Sequence, residues 1–143
     1  MPRIPRAIID ELVAHARAEL PNEACGMVHA AQGVPVAVHR VGNQAASPYR
    51  YEMNPVQLLR LEQQREASGE TLFAIYHSHV ASPARPSPTD VRMAFFPPGE
   101  VQQPPMFPDT FYILVSLAQE PPDVRAYHIR TGGVIEEAPI EVV

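Results

Sequence analysis

Residues 71–90 constrain this chain more than any other stretch; they read T-L-F-A-I-Y-H-S-H-V-A-S-P-A-R-P-S-P-T-D. The aromatic and β-branched opening predicts a buried strand over Leu72–His79. Side chains at i and i+2 share one strand face, so His77 and His79 project together and Ser78 points the other way. The prolines at 83, 86 and 88 cannot continue a strand and make the following residues a loop. Ser87-Pro88-Thr89-Asp90 then opens a helix, with Ser87 as N-cap and Pro88 in the first helical position. Asp90 falls in the first turn, facing back toward the strand end.

Two imidazoles and one carboxylate are the donor set of an open zinc site, three protein ligands with a fourth position left for water. His77, His79 and Asp90 are therefore the expected ligands of one zinc per chain. The Ser87 hydroxyl should lie near the same point, placed to donate to a developing oxyanion. A separate carboxylate, Glu23, sits upstream in P-N-E-A-C-G-M-V, before a run of small residues suited to close packing. A charge there needs a reason, and a hydrolytic centre supplies one. Other zinc classes fail on the text. Deaminases require H-x-E with P-C-x-x-C, zincins require H-E-x-x-H on one helix, and a structural knuckle requires several cysteines, whereas this chain has one cysteine.

The pattern Glu…H-S-H-x7-S-x2-D resembles the signature of the JAMM (MPN+) zinc metalloproteases, isopeptidases of the deubiquitinase class, and the small stand-alone prokaryotic members in particular. P-N-E-A-C-G at 21–26 is similar to the family's first strand, and Y-I-L-V-S-L at 112–117 to a later core strand. The resemblance implies an α/β fold, a mixed β-sheet flanked by helices of the MPN (cytidine-deaminase-like) type. It implies zinc on His77, His79 and Asp90, Glu23 as the general base that passes a proton to the leaving amine, and Ser87 as the oxyanion donor. It also implies a substrate: the amide after the C-terminal Gly-Gly of a ubiquitin-like or sulfur-carrier protein. An extended tail of that kind is expected to add along an exposed sheet edge. Two other readings stay open, a non-catalytic MPN binding module and a zinc hydrolase of small amides.

The remaining features set bounds. A length of 143 residues with 45% hydrophobic content predicts one domain, 1–143. A net charge of −5 without basic blocks argues against nucleic-acid binding. No apolar run is long enough to span a membrane. No signal peptide is visible and Cys25 is the only cysteine, which together predict a reducing, cytoplasmic setting. Cys25 itself reads as a buried small hydrophobe. His15, His29, His39 and His128 lack chelate spacing and read as structural or surface residues. All 11 basic residues are arginine, so no lysine of this chain can carry an isopeptide-linked tag.

Periodicity predicts helices over Pro5–Glu19, Pro55–Ala67 (capped by Asn54 and ended near Gly69) and Pro88–Phe96. A hairpin is expected from Cys25–Ala30 and Val34–Val41, a short strand at Arg50–Met53, and later strands at Phe111–Leu117, Val124–Arg130, Gly133–Ile135 and Ile140–Val143. Residues 97–110 contain five prolines without periodicity, long for a connection in a compact domain and for the family. They read as a surface excursion or as an active-site flap. In the second case Met106 and Phe107 would cover substrate or dock a second subunit of a homodimer.

Overall fold

The computed structural model describes residues 1–143. In chain order it holds β1 (Arg3–Ile4), α1 (Arg6–Ala18), β2 (Cys25–Ala31), β3 (Val34–Val41), α2 (Pro55–Ser68), β4 (Thr71–His79), α3 (Pro88–Met93), β5 (Phe111–Ser116), β6 (Asp123–Arg130), β7 (Val134–Ala138) and β8 (Glu141–Val142). Six strands form one mixed sheet in the order β3-β2-β4-β5-β6-β7, and β1 pairs with β8 in a separate parallel ribbon. Only the β4–β5 pair within the large sheet is parallel. This matches the expected mixed sheet with helices. No helix is long and apolar enough to cross a membrane.

The apolar stripe of α1 explains the main core. Ile9, Leu12 and Ala16 pack with Ile4, Val28, Ala74, Tyr76, Ile113 and Val115 on one sheet face. The small-residue run on β2 makes that packing close. A Cβ on Gly26 would collide with the Tyr76 ring and the His39 carbonyl, so glycine is what lets Tyr76 lie flat and reach His15 Nδ1 at 2.7 Å. The opposite face carries a second cluster, Ile75, Ala94, Phe95, Tyr112 and Ile129.

Local signals placed most elements within a residue or two. Asn54 caps α2 by accepting from the Val56 and Gln57 amides, and Gly69 ends it in the left-handed conformation. Three expectations differ and one strand was not expected. β7 runs on to Ala138 rather than ending at Ile135. Arg50–Met53 makes only one bridge, Asn43 with Met53, because the Asn43 side chain pins the turn through Arg50, Ala45 and Glu52 instead. The third helix stops at Met93 rather than Phe96, where the Ala94 amide folds back onto the Arg92 and Val91 carbonyls. β1, too short to show periodicity, exists only as the partner of β8.

Candidate metal centre

β4 carries the two histidines to the middle of the sheet. His77 and His79 are 1% and 4% exposed, on a sheet face covered by Asp90 at the start of α3 and, over His77, by Tyr51. The loop after His79 is held down along its length. The Ser116 hydroxyl donates to the Ser82 carbonyl at 2.7 Å, Tyr127 Oη donates to the Ala84 carbonyl, and His79 Nδ1 donates to the Pro83 carbonyl at 2.7 Å. The last contact fixes the His79 tautomer, leaving the Nε2 lone pair facing inward. Tyr51 stacks on His77, ring centroids 4.5 Å apart at 29°.

The loop delivers the start of α3 to the same point. Ser87 and Asp90 form a reciprocal capping box: Ser87 Oγ accepts the Asp90 amide at 3.1 Å and Asp90 Oδ2 accepts the Ser87 amide at 2.8 Å. The helix cap thereby orients the carboxylate. His77 Nε2 and His79 Nε2 are 3.3 Å apart, and Asp90 Oδ2 lies 3.0 Å and 3.1 Å from them. A tetrahedral ion with ligands at ~2.0–2.1 Å holds its donors roughly 3.3–3.4 Å apart, so the three atoms form one face of a tetrahedron that could hold a metal. Burial penalises the Asp90 charge, but the hydrogen bonds from His77, His79 and the Ser87 amide prevail and hold its carboxyl well below the usual range. For His79 burial again opposes the charged form, and Asp90 with the Pro83 carbonyl outweighs it, raising the imidazole. Binding a cation must displace that proton.

Glu23 is brought to the same cleft. It is 3% exposed, and its Oε1 is buried without a hydrogen-bond partner. Burial pushes its carboxyl up to about 7, with His79 opposing and Asp90 adding to the rise. Its backbone is fixed on both sides. The Glu23 amide donates to the Ser47 carbonyl at 2.9 Å, and Asn43 Nδ2 donates to the Glu23 carbonyl at 3.0 Å. Ser78, the middle residue of the His-Ser-His triplet, latches the adjoining residue: its Oγ accepts the Ala24 amide at 2.8 Å and its own amide donates to the Ala24 carbonyl at 3.0 Å. Sequence reasoning placed Ser78 on the far face and missed this role. It missed Tyr51 as well, since no local signal marks a stacking partner 26 positions before His77.

All five expected site residues thus converge. Glu23, His79 and Ser87 line one cleft of ≈ 320 Å³ with Pro48, Tyr49 and Val80–Ser82. Because Ser87 Oγ serves the cap as an acceptor, its O–H remains to donate. On the other side of Asp90 lies an apolar pocket of ≈ 310 Å³, walled by Tyr51, Met53, Leu58, Met93, Met106, Phe107 and Tyr112. Met106 and Phe107 of the proline-rich loop therefore wall a pocket that Asp90 also borders, and the Met106 amide anchors that loop to the Ala94 carbonyl at 3.0 Å.

Two expectations need correction. The sheet has free edges at β3 and β7, neither beside the histidines, because β4 is paired on both sides. Near the centre the β3 end is further occupied by the Asn43–Met53 turn, with the Asn54 amide on the Gly42 carbonyl. The sheet therefore offers no free strand edge directly beside His77 and His79. Second, His29 and His39, which lack chelate spacing in the sequence, come close in the fold. Cross-strand register brings them together with Glu70, donor atoms within 4.8 Å of one another. Cys25 is fully buried, as expected, and burial pushes its thiol up to about 12, which disfavours the reactive thiolate.

Comparison with known proteins agrees with this geometry. The chain is 35% identical over 140 residues to the CysO-cysteine peptidase of Mycobacterium tuberculosis, covering 95% of this chain and 87% of that one. It is 33% identical over 91 residues to a probable TtuB-protein conjugate cleaving protease of Thermus thermophilus, covering 64% and 62%. A solution structure of a protein from Desulfitobacterium hafniense superposes with a TM-score of 0.82 at 30% identity, covering 100% of this chain and 93% of that one. A JAB1/MPN domain protein from Archaeoglobus fulgidus shares the fold, with a TM-score of 0.59 at 20% identity over 99% and 98% of the two chains. The model of prokaryotic homologs of the JAB domain matches residues 5–130, and the chain belongs to that family.

Proposed function

We propose that this protein is a zinc peptidase that hydrolyses the amide bond following the C-terminal Gly-Gly of a ubiquitin-like or sulfur-carrier protein, with residues 1–143 acting as one catalytic domain in the cytoplasm. The observation that carries the reading is the buried, unpartnered Glu23 Oε1 in the same cleft as His79 and Ser87. A buried carboxylate oxygen without a donor costs stability, and proton transfer in the cleft accounts for it. His77, His79 and Asp90 would hold one zinc ion, which when bound acidifies water and polarises the scissile carbonyl.

The residues of the chain divide the work. Glu23, with its carboxyl near neutrality, takes the proton of the attacking water and returns it to the leaving amine. Ser87 donates its free O–H to the developing oxyanion. Asp90 is oriented by the Ser87 amide and His79 by the Pro83 carbonyl, so neither must reorganise as charge develops. The substrate class is supported by the names of the relatives, one acting on a CysO–cysteine bond and another on TtuB–protein conjugates. The cleft adds a physical reason. Glu23, His79 and Ser87 share that cleft with Tyr49 and Val80–Ser82, so a chain lying in it passes beside the buried histidine, where a side chain would crowd the approach.

The test is a ubiquitin-fold carrier fused to a short peptide beyond its Gly-Gly end, incubated with the zinc-loaded protein and analysed by mass spectrometry. Cleavage after the second glycine is expected, abolished by chelation and by a bulky residue at the penultimate position. Equal cutting of the Gly-Gly and bulky variants, or cleavage of small amides alone, would overturn this substrate class.

A further inference from the structure

The molecule brings together a second two-histidine, one-carboxylate cluster outside the centre described above. His29 lies on β2, His39 on β3 and Glu70 on the turn from α2 into β4. His29 pairs with Ala37 and Met27 with His39, so the two histidines are diagonal neighbours on the sheet face that α2 flanks. Their rings sit 4.4 Å apart, tilted by 53°. Glu70 Oε2 lies 3.7 Å from His29 Nδ1, beyond hydrogen-bond reach but close to the roughly 3.3–3.4 Å separation of two donors on one tetrahedral ion. His29 is four residues along β2 from Cys25, which is paired with His77, so the clusters stand roughly 13 Å apart at ~3.3 Å per residue.

The backbone at His29 is itself irregular. Register shifts occur on both sides of it, between His29 and Ala30 against β3 and between Val28 and His29 against β4. Bulges of this kind re-aim side chains and recur near functional sites. Here the shift against β4 puts Leu72 opposite His29 and brings the neighbouring Glu70 against the imidazole. The result is a 2%-exposed histidine facing another histidine and a carboxylate that it does not hydrogen-bond.

We propose that His29, His39 and Glu70 form a second metal site, for a borderline divalent transition ion such as zinc, copper or nickel, which clips the β2–β3 hairpin to the α2–β4 turn. Imidazole with carboxylate suits those ions and not calcium or magnesium, which take mostly oxygen. His29 is buried, with His39 and Glu70 as its polar neighbours. The other charges around it are Arg65 and Glu62, and these two pair with each other, so neither competes strongly for the cluster. His29, His39 and Glu70 line neither of the two cavities beside Asp90, so the site is structural, and its occupancy should register in stability and not in turnover.

The test is zinc titration of the His77→Ala/His79→Ala protein by calorimetry, with thermal unfolding followed in parallel. One zinc per chain is expected to bind and to raise the melting temperature. Adding Glu70→Gln or His39→Gln, both partly exposed positions that should fold, should weaken that binding by more than the roughly 10–100-fold that loss of an outer partner costs at a metal site. No zinc bound by the double variant, or binding unchanged by either added substitution, would overturn the proposal. Circular dichroism of each variant separates loss of the site from loss of the fold.

Discussion

The two histidine clusters share a donor set and differ in everything around it. At His77, His79 and Asp90 the donor atoms stand 3.0–3.3 Å apart, His79 and Asp90 are each held by a backbone group, His77 is stacked on Tyr51 with its Nδ1 unpartnered, and a cleft opens beside them. At His29, His39 and Glu70 the donors are looser, within 4.8 Å, none of the three lines the clefts beside Asp90, and the nearby Glu62 is paired with Arg65. The lesson is that ligand chemistry alone does not make a reactive centre. Reactivity needs an unpartnered base in reach and an approach for substrate, and only the first cluster has Glu23 and the ≈ 320 Å³ cleft.

Substitutions can break that contrast, beginning with the strongest. Asp90→Ala removes one of three proposed ligands and also the N3 half of the α3 capping box. Zinc affinity at the first centre, read by metal analysis after dialysis, should fall well beyond the roughly 10–100-fold cost of an outer partner, taking turnover with it. Retention of a full equivalent at that centre would mean the ligand set is wrong. Ser87→Ala should keep zinc while turnover drops about 10²–10³-fold, the usual cost of one oxyanion donor. It also loses an N-cap worth about 1 kcal/mol, so unfolding has to be measured alongside; a rate loss explained by unfolding would leave Ser87 a cap only.

Glu23 offers a sharper electrostatic comparison. Its carboxyl rises from 4.5 to about 7 on folding, so its contribution is full below about pH 4.5 and is lost as pH rises through 7. In chelator-stripped protein at pH 8, Glu23→Gln should therefore stabilise by up to about 3 kcal/mol in denaturant unfolding, and the gain should vanish near pH 4. A gain independent of pH would mean the cost is not one of charge burial. A smaller effect is expected from Ser78→Ala, which frees the Ala24 amide and should cost about 1 kcal/mol with a turnover loss of roughly tenfold or less. Glu70→Gln should leave turnover within about twofold, and a larger loss would tie the second cluster to the chemistry.

What could be read from the chain tracks how locally it is encoded. The strand, the proline loop and the capped helix all announce themselves within residues 71–90, so the convergence of His77, His79 and Asp90 was legible. Glu23 was legible because a charge before a small-residue strand is anomalous. The second cluster was not, because His29 and His39 meet only through hairpin register and Glu70 joins them only through a shift that no local pattern encodes. The same holds for the β1–β8 ribbon, joined across nearly the whole chain. Arg50–Met53 was misread because its aromatic and apolar residues suggested a strand while the Asn43 side chain organised the segment as a turn.

The central claim is that Glu23 moves the proton while three other residues hold the metal. Its most direct test is Glu23→Gln assayed for zinc and for cleavage of the carrier–peptide fusion in the same sample. The account predicts wild-type zinc content with turnover lowered by at least the roughly 10²–10⁴-fold that general acid–base catalysis contributes. Cleavage at the wild-type rate by the zinc-loaded variant would contradict it.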